Sequence, residues 1–132
     1  MQLSELETVR YYTRYFTNVN GDLVRSFGNL YSIYSLINTE NGKRYIGRTM
    51  NPRSRISTHM SLLKNGHHPN ELLNKDHEQH FEFQILKGSI CDQNEAKRME
   101  RYYMVRYKTY DPEFGYNCND PMMQKYVEKE ST

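Results

Sequence analysis

The stretch Lys43-Arg44-Tyr45-Ile46-Gly47-Arg48-Thr49 sets three cations and a phenol around one glycine. It opens a window, Asn41 to Asn70, that holds six Lys/Arg (Lys43, Arg44, Arg48, Arg53, Arg55 and Lys64) and no Asp or Glu. Three of the five histidines, His59, His67 and His68, fall in the same window. The formal net charge of the whole chain is only +2. A one-signed block in a nearly neutral protein is a local field suited to a polyanion. The same block would also serve as a plain solvated basic face.

If the block faces a phosphodiester, hydrolysis needs a group that activates water, a cation beside the phosphoryl oxygens, and a metal held by carboxylate. Arg55 offers a fixed fork for phosphate oxygens. Tyr34 and Tyr45 belong to facing strands of one hairpin, where their hydroxyls can converge near Arg55. A phenol titrates near pH 10, so as a base it needs positive charge or a metal close by. Glu100 is the best candidate for a hard-metal ligand, and one carboxylate suits Mg²⁺, which keeps much of its water shell. Each residue alone is weak evidence, since a strand Tyr is more often core and a helical Glu more often solvated.

The elements that would position these groups can be read from the chain. Ser4-x-x-Glu7 is a capping box, and Leu6, Val9, Tyr12 or Thr13, and Phe16 follow at helical spacing, which predicts a helix from Glu5 to about Phe16. Residues 18–29 read as a loop with a short extended piece at Leu23-Val24. Tyr31 to Ile37 is rich in β-formers, Asn41-Gly42 signals a turn, and Lys43 to Gly47 returns as a second strand. Pro52 opens a helix that Asn65-Gly66 closes, with Arg55 and His59 four apart on one face. A short helix from Asn70 to about Lys75, a strand from Phe81 to Leu86 and a long helix from Asp92-x-x-Glu95 to about Tyr107 follow. The order points to an α/β (α+β) domain: a small, mainly antiparallel three-stranded sheet flanked by helices, with an extra N-terminal helix.

Composition narrows the class further. Apolar residues make up 36% of the chain, and tyrosine, with 12 copies, must carry much of the core. No run reaches the length of a membrane span and no signal-peptide pattern opens the chain, so a cytoplasmic protein without membrane attachment is expected. Cys91 and Cys118 lack any C-x-x-C spacing and fit a reduced compartment. His77-x-x-His80 beside Asp76 has no cysteine partner and no H-E-x-x-H pattern, so both histidines read as surface residues rather than zinc ligands.

Taken in order, Ser32-Ile33-Tyr34, Tyr45-Ile46-Gly47, Arg55, His59, His68, Glu100 and Gly115-Tyr116-Asn117 resemble the GIY-YIG nuclease family. The two tripeptides are ten residues apart, Arg55 follows Gly47 by eight, and His59 lies four further on. Leu63 to Asn70 is similar to a loop of the phage and intron-homing members. The resemblance covers about Leu30 to Asp120, and its ordered set is specific where any single tripeptide is not. One departure is Ser32, where the family has glycine; it costs little unless that position needs positive φ.

The resemblance implies a GIY-YIG fold over residues 29–120, between a helical extension (1–28) and a flexible tail (121–132). It implies a metal-dependent DNA endonuclease. Tyr34 would be the general base or orient the attacking water, and Tyr45 would support that water or the phosphate. Arg55 would stabilise the transition state, and His59 would assist by hydrogen bonding or proton transfer. Glu100 would bind a single Mg²⁺ or Mn²⁺. Ser32, Gly47, His68 and Asn117 would support the site, with Gly47 allowing close packing of helix against hairpin. Lys43, Arg44, Arg48, Arg53, Lys64 and His67 would grip or steer DNA, and no organic cofactor is expected. The brief C-terminal segment suggests limited sequence specificity, or specificity from an oligomer or partner, in a phage or mobile-element setting. Residues 1–28 read as packing against a sheet edge, or as a DNA-contacting arm. The alternative function is a catalytically inactive nucleic-acid-binding module of the same fold, against which Glu100 argues.

Overall fold

The computed structural model describes residues 30–118 and Met123 in full, and of the preceding segment the backbone of 9–12, 15–18 and 23–24. The strands are β1 (Val9–Tyr12), β2 (Tyr15–Asn18), β3 (Leu23–Val24), β4 (Tyr31–Asn38), β5 (Arg44–Thr49) and β6 (Phe81–Ile90). The helices are α1 (Pro52–Asn65), α2 (Glu71–Lys75) and α3 (Gln93–Arg106). The antiparallel unit β5-β4-β6, flanked by helices, is the sheet the sequence predicts. Beyond β6 the sheet continues through β1, β2 and β3, in the order β3-β2-β1-β6-β4-β5.

The N-terminal helix expected over 5–16 is therefore corrected where the backbone is described: 9–12 and 15–18 are strands. Val9-Arg-Tyr-Tyr and Tyr15-Phe-Thr are dominated by β-branched and aromatic residues, which lose rotamer freedom in a helix and fit a pleated surface. An unpaired edge of β6 completes the argument, because β1 pairs with it through Val9↔Ile85 and Arg10↔Gln84. The proposed capping box, and the whole tail but for Met123, lie outside the described residues.

Local chemistry explains the remaining boundaries. Gly42 takes φ +79° in the β4–β5 turn, where Asn38 N–H donates to Lys43 O at 2.9 Å. Asn51 caps α1 by accepting from Ser54 N–H, and Gly66, at φ 69°, closes it by donating to Leu62 and Leu63 carbonyls. Asp92 caps α3 through Glu95 N–H. The strand that starts at Phe81 runs on to Ile90, past the expected Leu86, with register irregularities opposite Tyr31–Tyr34.

Helices cover both faces of the β4–β5 hairpin, so β4 is buried on both sides. Tyr34 and Leu36 face a core completed by Ile56 and Leu63 of α1 and Leu73 of α2. Ile33 and Ile46 face the other, with Ala96, Tyr103 and Met104 of α3. β5 ends the sheet, and residues from both layers meet at its outer edge.

Candidate active site

That outer edge is closed by Gly115-Tyr116-Asn117. Tyr116 N–H donates to Arg44 O at 2.9 Å. The Asn117 amide brackets Ile46, accepting from its N–H at 2.8 Å and donating to its carbonyl at 3.0 Å. A Cβ on Gly115 would meet Thr109 Cβ at 2.6 Å and Arg44 O at 2.8 Å, so only glycine lets the segment lie this close. The glycine, the tyrosine and the asparagine thus each finish an edge that would otherwise expose backbone groups.

Tyr34 pairs across the hairpin with Gly47. A Cβ at Gly47 would overlap the Cζ and hydroxyl of Tyr34, so the glycine is the seat of that ring. The ring of Tyr34 is thus a reason for glycine here beside the expected packing of helix against hairpin. The Tyr34 ring stacks on Phe83 at 4.9 Å between centroids and is 2% exposed. Its hydroxyl lies 2.9 Å from His59 Nε2. Tyr45, diagonal to it on β5, sits 6.3 Å from the Tyr34 ring and 5.5 Å from that of His59. Burial pushes the Tyr34 hydroxyl well above the ordinary phenol range, and the charge of Tyr45, that of Glu100 and a side-chain hydrogen bond with Tyr45 add to it. The Arg55 guanidinium works the other way.

His59 is buried on the inner face of α1, one turn beyond Arg55, which is exposed. Burial, then the neighbouring His68 and Arg55, push its pKa down to about 4. His68 is buried too, and its Nε2 lies 2.9 Å from His59 Nδ1. Ser32 is 1% exposed in β4, and its φ is not positive, so serine fits the position that carries glycine in the family pattern. Its hydroxyl has no hydrogen-bond partner among the described residues.

Glu100, on α3, lines a cleft of ≈ 260 Å³ together with Tyr45, Asn70 and Asn117. Arg48 Nη1 pairs with its carboxylate at 2.7 Å. Among the described residues no group of three or more His, Cys, Asp or Glu is arranged around one point. A single carboxylate, here shared with Arg48, is a donor set that fits a small hard cation drawing its other ligands from water and substrate.

The structure thus brings together Tyr34, Tyr45, His59, His68, Asn117 and Glu100 around the β5 edge, with the Arg55 charge acting on Tyr34 and His59. The expected DNA-gripping cations divide. Arg53, Lys64 and His67 are exposed on or just after α1. Arg44 is packed under α3, its guanidinium 4.2 Å from the Tyr107 ring centre and bonded to Ser35 Oγ at 3.1 Å. Arg48 is engaged by Glu100, and Lys43 is half-buried near the turn. His77 bonds to Leu63 O and His80 to the Thr39 hydroxyl. Sequence reasoning missed Asn70, whose side chain caps α2 and donates to Tyr116 O at 2.8 Å. Its position at the start of the predicted short helix, two residues past His68, was the available signal.

A model of the GIY-YIG catalytic domain matches residues 30–117. The chain belongs to the GIY-YIG family. Two solved structures are similar to it. The catalytic domain of the homing endonuclease I-TevI shares 22% identity over 64% of this chain and 96% of that one, with TM-score 0.58. A mutant of the catalytic domain of the intron endonuclease I-TevI shares 26% identity over 68% of this chain and 95% of that one, with TM-score 0.60. No curated protein matches the sequence significantly. Among the described residues no helix is long and apolar enough to cross a membrane.

Proposed function

We propose that this protein is a divalent-metal-dependent endonuclease that hydrolyses DNA phosphodiesters. The observation that carries the reading is the seating of Tyr34. Its hydroxyl is held on Gly47 by His59, with Tyr45 beside it and the charges of Arg55 and Glu100 both acting on it. The buried phenol thus lies within the field of a cation from α1 and of a carboxylate from α3, the setting in which a phenol can be tuned to exchange a proton.

In the resting site Tyr34 is a neutral phenol, because burial and the Glu100 carboxylate both disfavour its anion. Positive charge brought to Glu100 removes one of these obstacles, and Arg55 already opposes the other. Glu100 would hold Mg²⁺ or Mn²⁺, which supplies Lewis acidity to the phosphoryl oxygens when bound. Once its proton has passed by way of the cleft to solvent water, the Tyr34 oxygen accepts a proton from the attacking water while that water's oxygen forms a bond to phosphorus. The bond from phosphorus to the leaving sugar oxygen breaks, and that alkoxide takes a proton from solvent. Arg55, exposed on α1, would present its planar fork to the equatorial oxygens as charge builds on them. Exposed Arg53 and Lys64 extend the positive field along α1 toward the DNA backbone, and exposed His67 follows just beyond the helix.

The test is cleavage of supercoiled plasmid and single-stranded DNA, with Mg²⁺ or with EDTA, by the wild type and by Glu100→Ala. Metal-dependent cutting that the substitution abolishes, with DNA affinity retained, is the expected result. Salt-sensitive binding without cleavage in either protein would replace the enzyme by a DNA-binding module of the same fold.

A further inference from the structure

The two buried imidazoles carry information that the reaction scheme does not use. Their planes differ by 6° and their centres lie 5.2 Å apart. With His59 Nδ1 only 2.9 Å from His68 Nε2, this is not face-to-face stacking. The rings lie edge to edge in a common plane, sharing one N–H···N bond. Such a bond needs one proton on one of its two nitrogens, and the geometry alone leaves the choice open.

The main chain makes the choice. Asn70 N–H points at His68 Nδ1 at 3.0 Å, and an amide can only donate. His68 Nδ1 is then an acceptor, so neutral His68 carries its proton on Nε2. That proton goes to His59 Nδ1, which leaves the proton of neutral His59 on Nε2, donated to the Tyr34 oxygen at 2.9 Å. Tyr34, receiving a donor from the helix side, turns its own proton toward Tyr45 and the cleft.

Several bonds hold the amide that starts the chain. Asn70 Oδ1 accepts from Leu73 N–H and its Nδ2 donates to Tyr116 O at 2.8 Å. Asn74 Oδ1 accepts from His68 N–H at 2.9 Å. Pro69 restricts His68 to extended backbone and contributes no competing N–H.

We infer that His68 is a positioning residue for Tyr34: with the Asn70 amide it fixes both histidine tautomers, so that His59 donates to the Tyr34 oxygen and the Tyr34 proton leaves only by way of the cleft. The inference rests on the nuclease reading for its catalytic meaning and on geometry alone for the tautomers. His59 is accordingly a stabiliser of the Tyr34 anion and not the base that makes it. Of the two roles the sequence allows His59, hydrogen bonding and proton transfer, the relay selects the first. Burial depresses the pKa of both imidazoles, which keeps them neutral, as the relay requires.

The experiment is long-range ¹H–¹⁵N correlation of the imidazoles in ¹⁵N-labelled full-length protein at pH 7, with no DNA or metal. His59 and His68 should both appear as Nε2–H tautomers. His68→Gln, whose amide nitrogen can still donate to His59 Nδ1, should keep the His59 pattern. His68→Met, of similar bulk and without a donor, should move the His59 ¹⁵N shifts toward a tautomer mixture. In cleavage, His68→Gln should stay within about threefold of wild type and His68→Met should lose tenfold or more in kcat with KM little changed. A His59 Nδ1–H tautomer, or a doubly protonated His68, in the wild type would overturn the relay. So would an unmoved His59 pattern in His68→Met. If the tautomers are as stated and no variant or wild type cuts DNA, the relay stands and the nuclease reading falls.

Discussion

Arg48 Nη1 lies 2.7 Å from Glu100 Oε1, joining the edge strand to α3 at the cleft that Tyr45 also lines. The two side chains are 32% and 15% exposed. On the proposed reading, the carboxylate that would hold the metal is thus paired with a residue that would meet phosphate. A DNA phosphate that draws the guanidinium away would expose Glu100. A pair this open is worth about 1 kcal/mol or less, which is up to about fivefold in a binding constant. Arg48→Ala should lower the Mg²⁺ concentration that gives half-maximal cleavage, by up to about that factor. A Mg²⁺ titration of both proteins on one plasmid substrate reads it; an unchanged midpoint would mean the pair plays no part in metal uptake.

A side chain at Gly47 would have no room beside Tyr34. In Gly47→Ala the new methyl must displace the Tyr34 ring, which is wedged against Phe83 and cannot swing into solvent. Overpacking of this kind costs about 1–3 kcal/mol and lowers Tm by several degrees. The larger consequence is local, since moving the ring breaks the contact with His59. Thermal melts and cleavage at a temperature where the variant is fully folded should show activity lost by a far larger factor than the folded fraction. Wild-type cleavage in Gly47→Ala would detach the Tyr34 seat from catalysis.

The hairpin, α1, α2 and α3 were legible in the sequence because each carries its own punctuation: Asn41-Gly42, Pro52 with Gly66, Asn70, and Asp92-x-x-Glu95. Such signals act within a few residues and need no tertiary context. Residues 9–18 misled because a helical spacing of apolar positions coexists there with a β-rich composition, and the edge of β6 decides between them. Within the site, residue types were legible and partnerships were not. Arg48 and Glu100 are 52 residues apart, and nothing in either segment signals that β5 and α3 meet there. His59 and His68 are only nine apart, yet their shared plane depends on the Gly66 turn and on α2. Ser32 in place of glycine was the one irregularity, and the ordinary backbone there removes the concern.

Arg55 tests whether shape or charge matters on the exposed face of α1. Its exposed position on α1 makes Arg55→Lys structurally mild. Lysine keeps the charge felt by Tyr34 and His59 but cannot present two parallel donors to a phosphoryl group. Losing one well-placed transition-state donor costs about 10²-fold or more in kcat. Arg55→Lys should therefore cut about 10²-fold more slowly, while its DNA affinity at low salt stays within about twofold. Equal cleavage rates would reduce Arg55 to a steering charge.

His59 makes an acid-stability prediction with a definite sign. Its pKa falls from 6.5 to about 4 on folding, chiefly through burial. Between those values the unfolded chain holds the proton and the native protein does not, so stability falls as pH drops through this window. The contribution is fully present above 6.5 and lost by about 4, and a shift of this size corresponds to an effect of order 3 kcal/mol. His68, depressed in the same direction, adds to it. Urea unfolding at steps from pH 7 to pH 4 should show a steeper acid limb for wild type than for His59→Gln, which does not titrate. The difference in slope should approach about 1.4 kcal/mol per pH unit, the value for one proton. Parallel limbs would mean that His59 takes up its proton in the native state as freely as in the unfolded one, and the buried, neutral imidazole on which the Tyr34 contact depends would have to be given up.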